Sequence, residues 1–203
     1  GGLSFYQRKE IKDTMAFLKL TINPKDDESL LRIINYPTRG IGPTTVDKIR
    51  AKSIEKNQSI WETISSDLID TIKLTTQTKN NIISFTNILR SIFECINHDV
   101  FEILDLLIEK TGIIRRLKDD PTEENINRIQ NIGELFNSVK LFSMRNHNNK
   151  LFDFINEVSL DENKDEDDNK NADYVSLMTI HQSKGLEFSN VYILGLENGL
   201  FPS

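Results

Sequence analysis

The run Arg32-Ile33-Ile34-Asn35-Tyr36-Pro37-Thr38-Arg39-Gly40-Ile41-Gly42-Pro43-Thr44 sits between two helical patterns and decides how they meet. Upstream, Asp27 to Asn35 reads as a helix with Asp26 or Asp27 as its N-cap. Downstream, Thr44 to Lys56 reads as another, and Pro43 suits its first turn because the missing N–H costs nothing there. Gly40 and Gly42 permit positive φ and close approach of the backbone. The helix that follows offers free N–H groups and the positive end of its dipole.

Charge gathers around this turn. Between Ser29 and Lys56 the bases Arg32, Arg39, Lys48, Arg50, Lys52 and Lys56 outnumber the acids Asp47 and Glu55. Such a pattern looks like a helix-hairpin-helix, an element that grips the DNA backbone without reading sequence. An ordinary helix–helix corner with a surface arginine carries the same short signature.

Outward from the turn, helical spacing dominates. Phe5 to Asn23 forms one pattern through Ile11, Met15, Leu18 and Ile22, stopped by Pro24. Its aromatic and charged start, Phe5-Tyr6-Gln7-Arg8, reads as an apolar staple, with base stacking as the other option. Trp61, Ile64, Leu68 and Ile72 mark a short helix with a break allowed near Ser65-Ser66. Ile82 to Ile96 marks a long one, Val100 to Thr111 another closed by Gly112, Ile126 to Phe142 a further long one, and Leu151 to Val158 a short last one. Trp61, Phe85, Phe93, Phe136 and Phe142 lie on apolar stripes and are assigned to the core.

Asp161 to Ala172 is almost devoid of apolar residues and reads as a linker. It lacks the glycine and ligand spacing of a calcium loop. After it the pattern changes: Val175-Ser-Leu-Met-Thr-Ile180 and Val191-Tyr-Ile-Leu-Gly195 are β-prone runs around the polar turn His181-Gln-Ser-Lys184-Gly185-Leu-Glu187-Phe188. Strand, polar turn, strand is where α/β enzymes place ligand contacts. There His181 and Lys184 could donate to phosphate and Glu187 could accept from a ribose hydroxyl, or Glu187 could simply pair with Lys184. The expected fold is therefore mainly α, with a short C-terminal strand–turn–strand piece of a truncated α/β domain.

Composition narrows the classes. At 203 residues the chain suits one domain or one domain plus a fragment. No apolar run approaches the ~20 residues that span a bilayer. Cys95 is the single cysteine, so an internal disulfide is excluded and a reducing, cytoplasmic compartment is expected. The net charge of −6 does not exclude nucleic acid. Glu157, Asp161, Glu162, Asp165, Glu166, Asp167 and Asp168, against Lys164 alone, account for the whole excess, and phosphate responds to local charge. A phosphate-cradling GxxxxGKS/T loop and a strand ending in paired magnesium-binding acids are missing from the sequence. By itself this polypeptide is not expected to hydrolyse ATP.

Three blocks, GGLSFYQRKEIKD, RIINYPTRGIGPTTVDKI and VSLMTIHQSKGLEFSNVYILGLENGLFP, resemble, in this order, superfamily 1 DNA helicases of the UvrD/PcrA/Rep type. RIQNIGELFNSVKLF is similar to a fourth family helix, with Gln130 in place of an acid. The resemblance implies a bacterial, nucleoid-associated 3′-to-5′ helicase that uses ATP and Mg²⁺ in DNA repair. No cofactor is expected on the fragment itself. It implies that residues 1–24 belong to motor domain 2A, 25–160 to the helical 2B domain, 161–172 to an acidic linker and 173–203 to 2A again, carrying motif V. It assigns Glu187 and Gly185 to the nucleotide, and His181, Lys184 and Thr179 to single-stranded DNA. Thr38, Arg39, Gly40, Ile41, Gly42, Thr44 and Lys48 are assigned to duplex DNA. Implied partners are a single-strand/duplex junction, the 1A, 1B and 2A parts of the same chain, and repair proteins, with no membrane. The family's motif IV tyrosine and arginine would precede Gly1 and motif VI would follow Ser203, so Arg8 takes neither role. The competing class is a stand-alone helix-hairpin-helix or protein-docking module without ATPase.

Overall fold

A computed structural model describes residues 5–145, 150–167, 175, 178, 183 and 187–192. The chain divides into two units, residues 1–168 and 169–203. The described residues of the first unit are helical almost throughout, in agreement with the mainly α expectation. In the second, Val175 and Glu187 to Tyr192 are exposed, and no helix or strand occurs among the described residues. Most of the expected strand–turn–strand lies outside them.

The first unit is built around α1 (Lys9–Ile22). Ile11, Met15, Ala16, Phe17, Leu18 and Leu20 are all buried, more than one face of a helix can supply, so α1 is enclosed rather than laid on a surface. It packs against α2 (Asp27–Ile33), α5 (Thr76–Phe93), α8 (Glu123–Arg145) and α9 (Leu151–Asp167). Packing is continuous across residues 24–25, because the apolar positions on every side of α1 need partners from the helices that follow.

Local chemistry sets most boundaries. Asp26 caps α2 by accepting from the Ser29 N–H at 3.0 Å. Pro43 opens α3 (Pro43–Lys56), and Asn57 ends it in the left-handed conformation. Ser59 and Glu62 form a reciprocal capping box on α4 (Ile60–Ile64). The chain then breaks at Ser65-Ser66 into a 3₁₀ turn, Asp67–Thr71. Thr75 caps α5 and Asp99 caps α6 (Val100–Thr111).

Three expectations need correction. Phe5 to Asn23 is not one helix: a 3₁₀ turn at Phe5–Gln7 is followed by Arg8 in extended geometry, and only then α1. Gly112, at φ +68°, closes α6 and also starts α7 (Ile113–Asp119), which the apolar spacing did not reveal. The signal of α7 is confined to Ile113 and Leu117, spaced i, i+4 and both buried, directly after the glycine that closes α6. Finally, α9 continues to Asp167, well into the stretch read as linker. Asp161, Asn163, Asp165 and Asp167 are weak helix formers, so the continuation is propagated from a helix anchored by Leu151, Phe154 and Val158, with Glu162, Lys164 and Glu166 supporting it.

Because Phe17 is fully buried at the centre of α1, Phe17→Ala should cost about 3–5 kcal/mol of unfolding free energy. Urea denaturation followed by circular dichroism measures this. A loss below ~1 kcal/mol would contradict the central placement of α1.

Candidate nucleic-acid interface

The turn between α2 and α3 is held from inside. Asn35, just beyond α2, accepts through one side-chain oxygen from the N–H groups of Arg39 (2.8 Å) and Ile41 (3.2 Å). The Tyr36–Pro37 peptide is cis. Gly40 has φ +73°, and a Cβ there would come within 3.0 Å of the Asn81 side-chain nitrogen on α5. The dihedral demands glycine, and any side chain there would also have to displace the Asn81 amide. Ile41 is 1% exposed and plugs the turn into the core.

Arg39 does not face solvent with its charge. Its Nη1 donates to the carbonyl oxygens of Ile33 (3.2 Å), Tyr36 and Pro37 (3.1 Å). These carbonyls lie where α2 ends, the negative pole of a helix and a place where a cation is favoured. The guanidinium carbon lies 5.0 Å from the centre of the Phe85 ring, a cation–π contact across to α5. Burial strips water from the charge and lowers the Arg39 pKa to about 10, so the group remains charged at neutral pH. The side chain shapes the turn; it does not reach outward from it.

What the turn does present is backbone. Gly42 is the N-cap of α3 and supplies no side-chain cap. The N–H groups of Gly42 and Thr44 have no acceptor among the described residues. A Cβ built on Gly42 would meet nothing within 4 Å, so the approach to these donors is open. Thr44 and Lys48 are exposed on the first turns of α3. Lys48 donates to the Lys73 carbonyl oxygen at 3.0 Å, which anchors its ammonium beside the turn that precedes α5. This arrangement suits an anion: free N–H groups at a helix N-terminus, a glycine that lets the anion close, and basic groups nearby.

The structure thus brings Thr38, Gly40, Gly42, Thr44 and Lys48 together on one outer surface and turns Arg39 and the Ile41 side chain inward. Two further residues belong to the site. Asn35 fixes the backbone, and a polar side chain just past a helix end is its visible signal. Arg116 on α7 donates to the Thr38 carbonyl oxygen at 3.2 Å across 78 residues of sequence, and no local pattern announces that approach. In the second unit Glu187 is exposed, whereas Thr179, His181, Lys184 and Gly185 lie outside the described residues. Arg8 is committed within the first unit: it donates to Asn131, pairs with Glu134 at 3.4 Å and lies over the Phe5 ring.

Residues 1–203 match the UvrD-like helicase C-terminal domain, and the chain belongs to that family. It is 35% identical over 205 aligned residues to an ATP-dependent DNA helicase PcrA of Staphylococcus aureus, strain Mu50. It is 36% identical over 205 to the protein of the same description in Staphylococcus epidermidis, strain ATCC 12228. Each alignment takes in 100% of this chain and 28% of the relative, so the chain spans little more than a quarter of their length.

Removing Arg39 should act on stability first. Arg39→Ala takes a donor from three carbonyls, of which Ile33 keeps the Tyr36 N–H at 2.9 Å, and should cost about 2–3 kcal/mol in urea denaturation. Arg39→Lys should recover less than half of this, because an ammonium cannot lie flat on Phe85 while reaching three carbonyls. Full stability in either variant would mean that the guanidinium faces outward in solution.

Proposed function

We infer that this chain is part of an ATP-dependent DNA helicase, working 3′ to 5′ in DNA repair, and that its helical unit supplies a grip on duplex DNA. The relatives' descriptions as ATP-dependent DNA helicases support the first part. The observation that carries the second is the uncapped α3 N-terminus at Gly42, with open N–H groups on Gly42 and Thr44. In this reading the Thr38–Gly42 turn is the hairpin of a helix-hairpin-helix. One DNA phosphate takes the Gly42 and Thr44 N–H groups, Thr44 and Lys48 flank it, Gly42 keeps the surface low enough for the strand to approach, and Gly40 gives the turn its left-handed bend. Ile41 contributes by anchoring the turn, since its side chain is buried and its N–H is bound to Asn35. Arg39 serves the same contact from beneath, by holding the turn's shape.

Such a contact involves no base edge, so it is independent of sequence and sensitive to salt. That suits an enzyme that must hold any duplex ahead of the strand it moves along. ATP and Mg²⁺ would be bound by the parent protein, with Glu187 and Gly185 at the nucleotide and His181, Lys184 and Thr179 along the single strand. ATP hydrolysis would be the work of the 1A and 2A parts of the parent. Repair proteins are further partners in this reading, and its setting is the bacterial cytoplasm beside the nucleoid. No helix among the described residues is long and apolar enough to cross a membrane.

Fluorescence anisotropy of the 203-residue chain with a labelled duplex bearing a 3′ single-stranded tail tests the grip. Binding should weaken as salt rises, with a slope of roughly −0.9 per phosphate contacted. Gly42→Val should weaken it at least about fivefold with helical circular dichroism unchanged, because the new side chain meets only open space within the protein. Absence of binding at low salt, with the helices intact, would favour a protein-docking module instead.

A further inference from the structure

We propose that α7 is a second phosphate-contacting element, in which Arg116 and Arg115 extend the duplex footprint of the Thr38–Gly42 turn along the neighbouring strand segment. The proposal rests on the reading of the turn as a duplex grip and adds to it a separate helix more than seventy residues away in sequence.

The placement follows from three observations. Ile113 and Leu117 are both buried, which fixes the roll of this short helix on α8 and α6. With 100° per residue, Arg116 then projects to one flank and Arg115 to the outer face, while Lys118 lies on the side opposite Arg116. The bond from Arg116 to the Thr38 carbonyl oxygen identifies the flank: it is the one that borders the turn. That bond uses one of the five N–H donors of Arg116 and leaves the exposed guanidinium with the rest of its fork.

The other surface arginines set a contrast. Arg8, Arg32, Arg128 and Arg145 are each matched with a carboxylate, on Glu134, Asp13, Glu124 and Glu157. Arg115 and Arg116 have no ion-pair partner among the described residues, a property they share with the exposed Arg50 on α3 and Arg90 on α5, but only the α7 pair borders the turn. Two adjacent guanidinium groups that form no ion pair with the nearby Asp119 and Asp120, beside backbone donors suited to a phosphate, match a phosphodiester chain. Its anionic groups recur within reach of both elements, and a planar fork accepts two phosphate oxygens at once. Arg116 would bridge the two contacts, with one donor on the turn and the others on DNA.

The test extends the anisotropy titration to Arg115→Ala/Arg116→Ala and to Lys118→Ala, a single-charge control on the opposite flank that is compared per charge removed. Helical circular dichroism is recorded for each. The double variant should bind about tenfold more weakly at low salt, and its salt slope should fall by about 0.9 for each arginine removed. Lys118→Ala should change affinity less than twofold. If the double variant binds like the parent while Gly42→Val is impaired, α7 is not a contact and the turn remains one. If Lys118→Ala weakens binding as much per charge as the arginines do, α7 contributes only diffuse charge and the proposal fails. If the parent chain does not bind duplex at all, both readings fail together.

Discussion

The geometry of the surface described above depends on one buried cation. Arg39 sits where α2 ends, its guanidinium against the carbonyls of Ile33, Tyr36 and Pro37 and over the ring of Phe85. Taking a guanidinium out of water is costly, as its lowered pKa shows. The cost is offset in part, since Nη2 has no partner among the described residues, by the carbonyls of Tyr36 and Pro37 and a second bond to Ile33, by the negative end of α2, and by the ring face. With Arg39 and Asn35 binding the turn from within, Gly40 takes its left-handed conformation and α3 starts with its N-terminus pointing to solvent. An inward arginine therefore produces an outward anion site made of backbone.

Beneath the turn lies a second polar network that fastens it to the centre of the helical unit. Glu10 and Asp13 on α1 are nearly fully buried. Asp13 pairs with Arg32 of α2 at 2.7 Å, and Glu10 accepts from Asn131 of α8, which in turn accepts from Arg8. Burial raises the Asp13 pKa against the opposing pull of Arg32. Tyr36, inside the turn, is held protonated up to about 12 by burial and then by the negative charge of Asp13. The turn is thus continuous with α1, α2 and α8, and its shape is coupled to the core rather than set by its own residues alone.

How much of this could be read from the sequence depends on how local each determinant is. Pro43 at the start of α3, Asp26 before α2 and Gly112 after α6 each act within a few residues and were legible as caps. The direction of Arg39 was not, because it depends on Phe85, which sits 46 positions further along the chain. The carbonyls at the end of α2 were a usable signal, since they call for a cation or donor, but Asn35 and Arg39 competed for that role. The seven-residue α7 was marked only by the Ile113–Leu117 spacing behind a helix-closing glycine, and with it Arg115 and Arg116 stayed unplaced. The acid run after Leu160 was read from composition as a linker, whereas α9, nucleated by its buried apolar residues, runs on through it to Asp167.

A direct test of the central claim, that the turn offers backbone N–H groups to a phosphate, is to follow individual amides by ¹H–¹⁵N NMR as duplex DNA is added. The account predicts large shifts and slowed hydrogen exchange at Gly42 and Thr44, with Arg39 and Ile41 little changed because Asn35 already accepts from both. Unmoved Gly42 and Thr44 signals at saturating duplex, with shifts elsewhere, would contradict it.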